Sequence, residues 1–166
     1  MLNTLFITTF KVSLYRECLF TTVLHILYTA FCMNLLDVDY FAILVAVLSS
    51  FMLGGIWYSK ALFKNAWLES IGLTDLDLQS ANPKLIFGGS FFLVFMAALM
   101  LSLFLGKDAS VGESIGGGFV IGFFWISSSL GLSYIFEQRP LKLFLINGGY
   151  HILQFSLMGL ILGIWP

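Results

Sequence analysis

Charge is what this chain has least of. Eight basic and nine acidic side chains are spread over 166 residues, 10% of the total. A water-soluble domain usually carries about 25% charged residues, because its surface faces water. So few charges cannot coat a globule of this size, and the net charge of −1 supplies no basic field for nucleic acid. Cysteine is nearly missing as well. Cys18 and Cys32 are the only two, and their separation fits neither a metal site nor a disulfide framework. With three prolines in all, little interrupts long helices.

What fills the space is apolar. Hydrophobic types make up 59% of the residues, and mean hydropathy is +0.96. An excess of this kind has to face something other than water, and lipid is the natural solvent. A span needs ~18 or more uncharged residues to cross a ~30 Å hydrocarbon core at ~1.5 Å per residue. Four runs qualify: Tyr40–Tyr58, Leu85–Gly106, Ser114–Phe136 and Leu143–Trp165. None shows the alternation over about ten residues that a membrane β-strand requires.

A fifth run, Cys18–Leu36, is weaker, because His25, Asn34 and three threonines dilute it. Three readings of residues 1–36 stay open: a fifth span, a signal-like segment, or a start-site artefact with Met33 as the alternative start. The expected organisation is therefore an N-terminal hydrophobic segment, 1–36, followed by a four-span membrane domain, 37–166.

Two connections, Lys107–Glu113 and Glu137–Lys142, are short and imply antiparallel neighbours. The long one, Ser59–Lys84, gathers Leu62, Phe63, Ala66 and Trp67 on one side of a helix, which suggests a short helix lying in the headgroup layer. Gly72 is placed to end it, Thr74 or Asp75 to cap another turn, and Asn82-Pro83 to start the second span. The loops Ser59–Lys84 and Glu137–Lys142 share one side and hold Lys60, Lys64, Lys84, Arg139 and Lys142. Of the loops between spans, the opposite side offers only Lys107, so the positive-inside rule puts the first side in the cytoplasm. Trp57, Tyr58, Trp67 and Trp165 sit where interfacial aromatic anchors belong.

The stretch Gly54-Gly55-Ile56-Trp57-Tyr58-Ser59-Lys60-Ala61-Leu62-Phe63, continuing to Ala66-Trp67, carries a family likeness. So, more faintly, do Ile71-Gly72-Leu73, Asn82-Pro83, Gly149-Tyr150-His151, Met158-Gly159 and Gly163. From about Met33 to Trp165 the chain resembles the membrane-protein family called domain of unknown function 1761. The resemblance implies a small multi-span protein and brings no catalytic residues.

Inside the four spans, His151 is the one ionisable side chain other than tyrosine. Such groups are costly in lipid and usually face the bundle or a wet cavity. Asn147, His151 and Gln154 fall at i, i+4 and i+7, one helix face, with Tyr150 adjacent. They are either a polar lining for a solute or proton path, or interhelical hydrogen-bonding groups that fix the bundle. Ser127, Ser128, Ser129, Ser133 and Tyr134 on the third span would complete a polar interior, or the serines bond their own backbone carbonyls. Gly54 recurs with Ala46 and Ser50 at a four-residue spacing, as do Gly118 with Gly122 and Gly159 with Gly163, a pattern that lets helix backbones approach. Gly116-Gly117-Gly118 lacks the lysine and the preceding strand of a phosphate loop, and allows close packing or a bend.

The fold expected is an all-α integral membrane bundle of four transmembrane helices, with a possible fifth at the N-terminus and a short interfacial helix after the first span. No catalytic, metal or cofactor constellation is expected. The expected role is non-enzymatic, through helix–helix or oligomer contacts in a cell membrane, with the bilayer and further copies as partners. The alternative is a small-solute or ion carrier with a polar path near His151.

Overall fold

The computed structural model describes Leu35 and residues 38–165. Apart from Leu35, the expectation for residues 1–36 lies outside the described residues. Every element among them is helical, and four helices, of 18, 23, 26 and 24 residues, are long and apolar enough to cross a bilayer.

The first span, α1 (Tyr40–Trp57), starts where Asp39 accepts the backbone N–H groups of Phe41 and Ala42 at 2.8 and 2.9 Å. That pairing satisfies donors which an apolar first turn would leave orphaned. Two short helices follow. In α2 (Lys64–Ile71) the last turn closes on Gly72, whose φ of 73° is the left-handed cap that glycine adopts without strain. Thr74 and Asp77 then form a reciprocal capping box for α3 (Asp75–Ser80). The interfacial helix begins at Lys64, later than the apolar spacing suggests. Residues 59–63 are held in turns, with Phe63 N–H bonded to Trp57 O and Lys64 N–H to Ser59 O.

The second span, α4 (Pro83–Leu105), opens with proline in its first turn and Asn82 accepting from Lys84 and Leu85. A capping box between Ser110 and Glu113 starts the third. That third span has three parts: α5 (Val111–Val120), a π-helical segment (Ile121–Ser127) and α6 (Ser128–Phe136). The sequence suggests close packing or a bend at Gly116-Gly117-Gly118 and does not foresee the π segment. After a turn with Gln138 at φ 56° and Pro140, the fourth span, α7 (Leu141–Ile164), returns.

The last helix is the hub. It packs against α1, α2, α4 and all three parts of the third span, whereas α4 leans chiefly on α1. The core is accordingly lined by Ile43, Ala46, Val47 and Ser50 of α1, and by Leu143, Gln154, Phe155 and Met158 of α7. Outside it the surface is greasy: Leu85 is 74% exposed, Trp125 71% and Phe136 81%. Water would penalise such a surface at about 25 cal/mol per Å² of apolar area, whereas hydrocarbon does not.

Candidate functional site

Beyond Lys142 in its first turn, the polar side chains of α7 begin at Asn147. Asn147 is half-buried and its amide is engaged at both ends. Its Oδ1 accepts from the Tyr58 hydroxyl at 2.9 Å, and its Nδ2 donates to the Tyr134 hydroxyl at 2.7 Å. One amide therefore ties the end of α1 to the end of the third span through the hub. Next to it the Trp57 indole donates to the backbone oxygen of Ile146 at 3.0 Å. That carbonyl already closes a helical turn, so the indole uses its second lone pair.

One turn deeper, His151 is half-buried and Gln154 is buried. The Nδ1 of His151 lies 3.1 Å from Gln154 Oε1. With its proton on Nδ1, the ring donates to that amide oxygen. Tyr150 turns toward α1. Its hydroxyl donates to Ser50 O at 3.4 Å, and its ring stands 5.3 Å from that of Tyr58 and 5.2 Å from that of His151. On the facing span, the buried hydroxyl of Ser127 reaches both Gly122 O at 2.7 Å and Gly148 O at 3.2 Å. Ser128 and Ser133 point back to Phe123 O and Ser129 O of their own helix. Among the described residues no buried side-chain nitrogen or oxygen lacks a partner, and no cluster of three or more His, Cys, Asp or Glu is placed to hold a metal ion.

The glycines set how closely the helices come. A Cβ on Gly118 would stand 2.2 Å from Phe155 O, and one on Gly122 would stand 2.9 Å from Ile152 Cα. The contact is reciprocal: a Cβ on Gly159 would meet Ser114 O at 2.1 Å, and one on Gly163 would meet Ser114 Cβ at 2.7 Å. A Cβ on Gly54 would stand 3.3 Å from the Tyr150 hydroxyl oxygen. Backbones this close exchange dense dispersion contacts, the main attraction between helices in lipid.

The four aromatics singled out as anchors all make contacts within the protein. The Trp67 ring meets that of Tyr58 at 5.4 Å. At the opposite end of the bundle Trp165 donates to Asp39 Oδ2 at 3.1 Å and its ring lies 5.4 Å from that of Phe41. What sequence reasoning missed is the partner role of Tyr58 and Trp57. Their position at a span end suggests anchoring, while only tertiary structure shows that Asn147 and Ile146 O sit opposite. On the loop side, Lys142 binds Glu69 at 2.7 Å and joins α7 to α2. The hydrogen bond from Lys142, aided by its charge, holds the Glu69 carboxyl below its ordinary value. The hydrogen bond from Lys64 does the same for Asp75.

Three apolar spans gathered around a fourth, with polar residues directed at one another, define a small multi-pass helical membrane protein. Residues 41–163 match the family described as protein of unknown function (DUF1761), and the chain belongs to that family. No curated protein and no solved structure matches the chain.

Proposed function

We propose that this is a non-enzymatic membrane protein that works through helix–helix contacts, within its own bundle and with further copies of itself. Its place is a cell membrane, plasma or bacterial inner, with the lysine-rich loops in the cytoplasm. The observation that carries this reading is the double engagement of Asn147 by Tyr58 and Tyr134. A group that serves a substrate keeps donors or acceptors open toward it. Here the amide, the indole of Trp57 and the hydroxyl of Ser127 are committed to joining helices. The uncovered apolar faces of α4 and of the third span leave room for lipid or a second copy.

A carrier reading rests on one observation: His151, at mid-helix, is not fully buried. Reconstitution in liposomes separates the two. The proposal predicts no pH-dependent solute or ion flux, a mass above that of the monomer in nanodiscs, and a less stable bundle for His151→Ala. A flux that disappears in His151→Ala would replace this reading with the carrier.

A further inference from the structure

The third span poses a geometric problem that its π segment solves. Gly118 and Gly122 press on α7 at Phe155 and Ile152, while Ser127, Gly131 and Tyr134 press on the same helix at Gly148, Phe144 and Asn147. In an unbroken α-helix at about 100° per residue, Ser127, Gly131 and Tyr134 would face roughly opposite to Gly118. Residues bonded i to i+5 turn by only about 80° each, so seven of them remove roughly 140° and bring both halves onto α7. The Ser127 and Ser128 hydroxyls reach carbonyls five residues back, at Gly122 and Phe123, and brace this register.

The two halves are gripped unequally. Upstream, Gly118 and Gly159 hold backbone against backbone, so that half cannot turn without clash. Downstream, α6 has no buried residue, and it is followed by a turn holding Gln138 in the left-handed region. Its hold on α7 comes from Gly131 against the Phe144 ring and Tyr134 to Asn147, just beyond the bond from Ser127 of the π segment to Gly148 O. A locked half and a lightly held half are joined by the rarer, weaker helix form.

We propose that Ile121–Ser127 is a two-state joint. Wound as π, it latches Tyr134 onto Asn147. Rewound as α, it swings α6 about its own axis by more than 100°, freeing Asn147 and the Tyr58 hydroxyl behind it while α5 stays seated.

The full-length protein labelled with 5-fluorotryptophan in nanodiscs tests this, because Trp125 lies inside the joint and Trp125→Phe assigns its fluorine line among the four tryptophans. Two Trp125 lines, or one line broadened by exchange, are expected. Ser127→Ala should shift the populations several-fold toward the α form. Deleting Phe124, which removes the extra residue while keeping Tyr134 on the α7 face, should give one unbroadened line. A single unbroadened line in the parent overturns the proposal, as does broadening that survives the deletion. Should the deletion fail to fold, unchanged populations in Ser127→Ala overturn it alone.

Discussion

Asn147 shows how one residue acts in this solvent. In water its amide would exchange protein partners for water at little cost. In hydrocarbon each unpaired N–H or C=O costs several kcal/mol, so the side chain is tolerated only where Tyr58 and Tyr134 complete it. Trp57 follows the same logic. Trp57→Phe keeps the apolar ring and deletes the hydrogen bond to Ile146 O. It should cost about 0.6–2 kcal/mol of bundle stability, read from unfolding in mixed micelles. At the loop end the paired carboxylates give a pH dependence. The folded-state value of Glu69 lies below its ordinary 4.5, so its contribution is present above that value and fades as pH falls through the lowered one. Docking of α2 on α7, followed by quenching of Trp67, should therefore hold at neutral pH and loosen slightly as pH falls below the ordinary carboxylate range, the pair being exposed. Glu69→Gln should lose this share of the pH response.

At the scale of elements, small residues decide which helix neighbours which. The pairing of α5 with α7 depends on Gly118 and Gly159, where a methyl group would fall 2.2 and 2.1 Å from a backbone oxygen of the other helix. Gly159→Ala should cost about 1–3 kcal/mol or more by overpacking. Gly116→Ala is the control. Nothing lies within 4 Å of its added methyl group, so it should be neutral or slightly stabilising through helix propensity. Equal losses in the two variants would mean that glycine count, not interface position, matters. The four spans and the loop helices were legible in the sequence because each rests on local signals: uncharged length, Gly72, Thr74, Asn82-Pro83. The four-residue spacing within Gly118 and Gly122, and within Gly159 and Gly163, is a local signal too, and it marks the close-packing face. The π segment was not legible. Its cause is the need to bring Tyr134 and Gly118 onto one partner, and that demand exists only once α7 is in place.

For the molecule as a whole, the fourth span organises everything else. It carries the polar residues, receives the closest backbone approaches and touches every other span. The sequence showed Asn147, His151 and Gln154 on one face but not how they divide. Asn147 reaches outward to two helices, while His151 turns to Gln154 on its own. Which phenol meets which amide depends on helix rotation and depth, and hydropathy carries no information about either. The fold is thus written largely in where charge is missing, and the candidate site in rotations that packing alone sets.

The most direct measurement is a double-mutant cycle on Tyr134 and Asn147, using Tyr134→Phe, Asn147→Ala and the pair, with unfolding free energies measured in bicelles. If the polar residues of the hub serve to join helices, the coupling should be favourable and close to 0.6–1.7 kcal/mol. A coupling of zero, with both single variants as stable as the parent, would contradict that account.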